Sequence, residues 1–260
     1  MSKSIQLRIE NKVAYITLNR PEVFNSFNRE MAFSLQETLD ACEANKDVRA
    51  IVLTGNGKAF CAGQDLKEVT DPDLNPGFKK ILEEHYNPII TRIRSIKKPI
   101  IGAINGVAAG AGANIALACD IVVAHEKVSF IQAFSLIGLV PDSAGTYFLP
   151  RLIGFQKALA LAMLGDKIGA EEAEKMGMIY KCVPTEEFGE TINKLALKLA
   201  NMPTKALGMI KELFNKSMTN DLESQLALES KLQIEAAQSD DYKEGVAAFI
   251  EKRKPNFKGN

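Results

Sequence analysis

Residues 138–154 read GLVPDSAGTYFLPRLIG. An apolar run stops at Pro141, the carboxylate of Asp142 follows, and Ser-Ala-Gly-Thr leads into an apolar helical pattern. A carboxylate in that place has two uses. As a structural group it is the N-cap of a helix starting at Ser143, accepting from the orphan N–H groups of the first turn. As a chemical group it is a general base, its pKa raised by the surroundings of Leu139, Val140 and Phe148. Residue type and position leave both readings open.

Two glycine-rich stretches invite a nucleotide-binding reading, and both fail it. Gly55-Asn56-Gly57-Lys58 lacks the spacing and the following Ser/Thr of a phosphate loop. The segment 106–112 lacks the third glycine of a dinucleotide fingerprint. The plain reading of Gly102, Gly106, Gly110 and Gly112 is close packing of a helix on a sheet. A sharper one is that small residues let N–H groups at a helix N-terminus approach a ligand oxygen. The segment FCAGQD, 60–65, is of the same kind. Two such loops converging would form an oxyanion hole, but the sequence does not show convergence. His85 on a charged helix and His125 beside Glu126 read as surface residues, and Cys61 as a buried small residue. Lys252, Arg253 and Lys254 read as a solvated face.

The elements that must position these groups alternate. Residues 5–9 and 13–18 read as a hairpin, 29–44 as an amphipathic helix and 48–54 as a buried strand. A loop dense in Asp, Asn, Pro and Gly at 71–77 has the composition of a mobile segment. A helix over 78–95, a strand at 100–104, a small-residue turn at 105–112, a helix at 113–118 and strands at 120–124 and 128–130 follow. This order argues for α/β layering with crossover connections and strands buried on both faces. Beyond Gly154 the pattern is helical at 156–164, 170–176, 186–201, 204–218, 222–238 and 242–252, interrupted by a strand at 179–183. The expected division is a core over 1–200 and a helical region over 201–260, whose apolar stripe (Leu222, Leu226, Leu228, Leu232) needs a cover.

The 260 residues carry 32 basic and 32 acidic side chains, so no overall field exists to draw nucleic acid or an anionic membrane. Four dispersed cysteines and two histidines give no metal-site spacing, and no metal is expected. The polar start MSKSIQLRIENK is unlike a signal peptide, and no apolar run reaches membrane-spanning length. A soluble, cytoplasmic protein is expected.

Taken together, LNRPEVFNSFN, GKAFCAGQDLKE, PIIGAINGVAAGAGANIALACDI and AFIEKRKPNFKG resemble the crotonase (enoyl-CoA hydratase/isomerase) superfamily, in order and along essentially the whole chain. The resemblance implies a spiral of ββα units followed by a helical trimerisation region, assembled as a trimer or dimer of trimers. It implies an acyl-CoA thioester as substrate, with no cofactor because coenzyme A belongs to the substrate. It places the two enolate-stabilising backbone donors on Gln64 and Ala111. Ala62, Asp65, Leu66, Gly110, Asn114 and Phe134 fall around the substrate, and Phe249 and Lys252 on a coenzyme A contact from a neighbouring subunit. Hydratases of this family use two glutamates, and their positions here hold Asn114 and Phe134. With both empty, Asp142 becomes the acidic candidate. GQDL, AAGAGAN and GLVPDSAGT are similar to the ring-epoxide isomerase branch, with Tyr147 where that branch has tryptophan. A Δ3,Δ2-enoyl-CoA isomerase uses the same aspartate. A hydratase, or a CoA-thioester or RNA-binding protein without catalysis, ranks below both.

Overall fold

The computed structural model describes residues 4–260, so the first three residues of the expected core lie outside the described residues. Among the described residues there are ten strands: β1 (Ile5–Glu10), β2 (Val13–Leu18), β3 (Ala50–Gly55), β4 (Ala59–Cys61), β5 (Ile100–Ile104), β6 (Val107–Ala109), β7 (Ile121–His125), β8 (Ser129–Ile131), β9 (Lys167–Gly169) and β10 (Lys181–Val183). β1 and β2 form the expected antiparallel hairpin, Glu10 facing Val13. Asn11 and Lys12 at its tip both take positive φ, as a two-residue turn matched to strand twist requires.

The strands sort into two sheets, β1-β2-β3-β5-β7-β10 and β4-β6-β8-β9. From β2 onward every pairing in the larger sheet is parallel. Successive strands of the pairs β3/β4, β5/β6 and β7/β8 go to different sheets, and helical chain returns the path each time. That is a spiral of ββα units. β3 shows why its sequence is apolar without a break. Ile51 and Leu53 face the main core, while Ala50 and Val52 face a second cluster with Ile192, Ala196 and Leu199 of the helix Phe188–Ala200. Both faces are covered, as parallel strands require.

Several boundaries depart from the sequence reading. β4, β6 and β9, three residues each, fall in stretches that the sequence reading left as loop or turn. Their hydrogen bonds come from strands distant in sequence. The helix Ala111–Ala118 starts two residues earlier than expected, straight out of β6. The expected 78–95 helix contains a π-helical stretch, Ile81–Tyr86, between Phe78–Lys80 and Asn87–Ser95. His85 and Tyr86, adjacent in sequence, are both buried there, so the surface reading of His85 is wrong. His125 is half-buried rather than a surface residue, its Nε2 2.9 Å from the Asn105 carbonyl and its ring edge-on to Phe188.

Two polar clasps tie the C-terminal helices to the core. Asp120 takes Arg94 at 3.1 Å and Lys211 at 2.8 Å, and also accepts from the backbone N–H of Ile100 at 2.8 Å. Buried Arg49 donates to Thr204 Oγ1 at 2.8 Å and to the carbonyl of Phe257 at 2.8 Å. The exposed side chains of Leu222 and Leu226 leave the upper part of the expected stripe uncovered in the single chain, while Leu232 is buried.

Backbone contact sets the spacing of the spiral. A β-carbon on Gly112 would lie 2.3 Å from the Cys61 carbonyl oxygen, and one on Gly106 would lie 2.1 Å from that of Lys58. The N-terminus of the helix Ala111–Ala118 therefore rests directly on β4. Helix propensity alone would make Gly112→Ala stabilising by about 1 kcal/mol. Overpacking against a main-chain oxygen opposes it, at about 1–3 kcal/mol, and wins because backbone cannot rotate aside. Gly112→Ala is thus expected to lower the urea midpoint of unfolding, followed by far-UV circular dichroism, and an unchanged or raised midpoint would refute the contact.

Candidate active site

β4 and β6 run parallel with Cys61 beside Ala108, so the segments leaving them emerge at the same edge. Their closeness is measurable at Gly63, where a β-carbon would lie 3.1 Å from the Ala109 carbonyl oxygen and 3.6 Å from the Ala111 nitrogen. Gly63 has φ +95° and Gly110 φ +53°, a half of backbone space that side-chain-bearing residues avoid. The two loops that the sequence could only suggest do converge. Among the described residues neither the Gln64 nor the Ala111 N–H donates to another backbone group. For Ala111 the cause is its place as the first residue of a helix. For Gln64 the flanking peptides are pinned, Phe27 N–H donating to Gly63 O at 2.7 Å and Asp65 N–H to Phe27 O at 2.8 Å. Two unspent N–H groups on fixed backbone are what an oxyanion requires.

The side chain of Gln64 is locked as well. Its Oε1 accepts from the hydroxyl of Tyr86 at 2.9 Å, and its Nε2 donates to Glu68 at 2.7 Å. The other oxygen of Glu68 accepts from the Arg29 N–H at 2.7 Å, at the start of the helix Arg29–Ala44. Tyr86 is fully buried, and its phenol is pushed well up by burial, then by the charges of Cys61 and Asp142. What places the Asp142 turn is the helix that Ala111 opens, since Asn114 of that helix donates to the Asp142 main-chain carbonyl.

Asp142 does not cap a helix with its side chain. The helix begins at Gly145, with Ala144 as its cap and no side-chain cap bond. Ser143 and Ala144 both take left-handed backbone, φ 50° and 59°, a conformation costing roughly 1–2 kcal/mol per non-glycine residue. The Asp142 carbonyl, rather than its carboxylate, accepts the Gly145 N–H at 2.9 Å. The carboxylate is left with one hydrogen bond, from Ser143 Oγ at 2.8 Å. Burial pushes its pKa up, and the serine hydroxyl works against that. Leu139 and Val140 are exposed, so they do not supply the burial; Phe148 is buried nearby in sequence. In contrast, hydrogen bonds from Arg29, Thr185 and Arg253 hold the carboxyls of Glu84, Glu126 and Glu244 down.

The remaining candidates divide. Phe134 is buried with its ring 3.7 Å from where a Gly110 β-carbon would be, so it walls the donor loop with carbon. Asn114 is buried and donates to the Asp142 carbonyl at 2.8 Å. Ala62 and Leu66 are exposed on either side of Gln64. Asp65 spends its carboxylate on Arg20, at 2.8 Å, and on capping the short helix Leu66–Thr70 through the Lys67 N–H at 3.0 Å. Phe249 and Lys252 are exposed, and Phe249 lines a groove between C-terminal helices with Tyr242 and Phe257. That groove shares no residue with the cavity of about 130 Å³ bordering the Asp142 turn, lined by Gln132, Pro141, Gly145, Thr146, Leu149 and Phe155 among others. Cys61 is buried as expected, its thiol pushed up to about 12 by burial, which removes it as a nucleophile.

Sequence reasoning missed Tyr86, Gln132 and Asn25. Asn25 is fully buried and donates to the carbonyls of Asn56 and Ala59, at 2.9 and 2.8 Å, bracketing the turn into β4. Its Asn-rich loop looked like punctuation.

The model of the enoyl-CoA hydratase/isomerase family matches residues 8–260. The chain belongs to the enoyl-CoA hydratase/isomerase family. It is an enzyme of the crotonase type. A 1,2-epoxyphenylacetyl-CoA isomerase of Escherichia coli is 46% identical over 261 residues, covering the full length of both chains. A probable enoyl-CoA hydratase of Rhodobacter capsulatus is also 46% identical, over 256 residues and 98% of each chain. The crystal structure of a putative enoyl-CoA hydratase/isomerase from Mycobacterium abscessus superposes with a TM-score of 0.92 at 36% identity, over 98% of this chain and all of that one. The crotonase fold and the spiral read from the strand order agree.

The raised carboxyl has a consequence for stability. An unfolded aspartate titrates near ~3.9, and in the folded chain burial moves Asp142 above that value. The native state then holds the proton over the interval between the two, so stability falls as pH rises through it and stays reduced at neutrality. Asp142→Asn keeps an acceptor for Ser143 and removes the charge. Its melting temperature is expected to exceed the parent's at pH 7, with the gap closing below the unfolded aspartate's range; equal melting curves at both pH values would refute the burial of a charged carboxylate.

Proposed function

We propose that the protein is an acyl-CoA isomerase that moves one proton through an enolate. The observation carrying this reading is that the Asp142 turn is held by Asn114 of the donor helix and its carboxyl is, among the described residues, the single one that burial raises, while the two glutamate positions of family hydratases hold Asn114 and Phe134. In a 3-enoyl-CoA, the Asp142 carboxylate takes the proton from C2. The electron pair left behind spreads to the thioester oxygen, which accepts from the N–H groups of Gln64 and Ala111. Each donor is worth about 3 kcal/mol at the transition state. The Asp142 carboxylic acid then returns the same proton to C4, and the double bond lies between C2 and C3. No water is added and no second acid is needed.

For a ring-1,2-epoxyphenylacetyl-CoA the same site would assist opening to the oxepin. The full-length identity to the Escherichia coli isomerase supports that substrate, and a Δ3,Δ2-enoyl-CoA isomerase is the second reading. Hydration is disfavoured on chemical grounds, since neither an amide nor a phenyl ring can activate water. Coenzyme A enters as part of the substrate, and no separate cofactor enters this scheme. The scheme suits a cytoplasmic enzyme.

Assembly as a homotrimer or dimer of trimers belongs to the same proposal, with 201–260 as the associating region. Exposed Phe214, Leu222, Phe249 and Ile250 in that region support it, as does the exposed band of Leu136, Ile137, Val140 and Phe155. Phe249 and Lys252 would then meet coenzyme A across a subunit boundary. No RNA or membrane partner is proposed; among the described residues no helix is long and apolar enough to cross a membrane.

The test is turnover of ring-1,2-epoxyphenylacetyl-CoA, 3-hexenoyl-CoA and crotonyl-CoA by the parent and by Asp142→Asn. Isomerisation is expected to fall by about 10²–10⁴ on losing the acid/base group. Isomerisation undiminished in Asp142→Asn would overturn the mechanism, and fast hydration of crotonyl-CoA would overturn the assignment as an isomerase.

A further inference from the structure

Asn114 occupies a hydratase glutamate position, yet its amide has a defined task here. Its Nδ2 donates to the main-chain carbonyl of Asp142 at 2.8 Å. Its Oδ1 accepts from Gln132 Nε2 at 2.8 Å. Both side chains are buried, at 1% and 3% exposure, which leaves little room for another rotamer. Gly145 completes the fit, because a β-carbon there would lie 2.3 Å from Asn114 Nδ2. A side chain at Gly145 would have to displace the Asn114 amide, so the glycine leaves room for that amide to reach the carbonyl.

The carbonyl it reaches belongs to a strained place. Ser143 and Ala144 follow Asp142 in left-handed backbone, and the Asp142 carbonyl takes both the Gly145 N–H at 2.9 Å and the Asn114 amide. The donor comes from the helix Ala111–Ala118, whose first N–H, that of Ala111, is one of the two unspent donors. One rigid element thus carries an oxyanion donor at its start and a tether for the Asp142 turn one turn later. The distance between the group that moves the proton and the group that holds the enolate oxygen is set through that helix.

We propose that Asn114 is a positioning residue for Asp142, oriented by Gln132 and acting through the Asp142 main-chain carbonyl rather than on the substrate. The proposal rests on the reading of Asp142 as the acid/base group. Truncating Asn114 leaves the carboxylate present but lets the turn drift, and misplacement of about 1 Å is enough to cost about 10²-fold in rate. Gln132 acts only through Asn114, so removing both should cost no more than removing Asn114.

The test uses purified full-length Asn114→Ala, Gln132→Ala, the double variant and Asp142→Asn, with 3-hexenoyl-CoA as substrate. Binding of butyryl-CoA, which has no double bond to move, is measured by calorimetry on each. The expected result is a fall in kcat of at least ~10-fold for Asn114→Ala and a smaller one for Gln132→Ala. The double variant should match Asn114→Ala alone, with butyryl-CoA stoichiometry and affinity held near the parent's. Parent-level kcat in Asn114→Ala alongside a dead Asp142→Asn would overturn this proposal alone. So would losses that multiply in the double variant, or a loss of turnover matched by lost binding sites. If Asn114→Ala does not fold, parent-level kcat in Gln132→Ala overturns it. Parent-level turnover in Asp142→Asn would bring down the aspartate reading, and this proposal with it.

Discussion

The contact of Gly112 with the Cys61 carbonyl governs the rest of the molecule. A helix cannot begin on top of a strand's backbone unless the residue there has no side chain, and here the helix Ala111–Ala118 does so. The contact holds β4 against β6 in a register that sends both following loops out at one edge. Gly63 and Gly110 then turn those loops in positive φ, and among the described residues the N–H groups of Gln64 and Ala111 have no backbone partner. Such unpaired donors cost stability when buried. Their persistence here supports the proposal that a substrate oxygen is their acceptor.

The same frame explains how one aspartate can serve. Ordinary aspartate is a weak base, and the chain raises Asp142 by burial rather than by a like charge. The empty glutamate positions work in that direction. Phe134 adds carbon where a second carboxylate would stand, and Asn114 adds an uncharged donor to the turn. A second acid nearby would have coupled to Asp142 and split their titrations. With an amide and a phenyl ring at those two positions, Asp142 is left as the single proton carrier that the proposed shift needs.

How much was legible depends on the range of the interaction. The hairpin, the long helices and β5 follow from periodicity and turn residues within a dozen positions, and the structure has them with ends displaced by one or two residues. β4 and β6 were missed because they lie in stretches of small residues and glycine that read as loop and turn, and β9 because it is a three-residue link between two helices; their partners are all remote in sequence. His85 misled because it follows Glu83 and Glu84 on a helix that reads as charged, while in the fold its ring turns inward and packs edge-on against Phe33 of a helix some fifty residues earlier. Asp142 misled in part because a carboxylate before Ser-Ala-Gly is a standard capping pattern, and nothing local reveals that Ser143 and Ala144 turn left-handed.

The sequence by itself determined the chemistry available: a lone aspartate ahead of a helix, small residues at two loops, and no glutamate at the two hydratase positions. Those are choices of residue type, and type is what a sequence states outright. Tertiary structure decided whether the groups meet. The pairing of the 60–64 loop with the start of the helix at Ala111, the burial that raises Asp142, and the Gln132–Asn114 tether beneath it all join segments tens of residues apart. Desolvation and hydrogen-bond direction exist only once those segments are packed, so no reading along the chain could have supplied them.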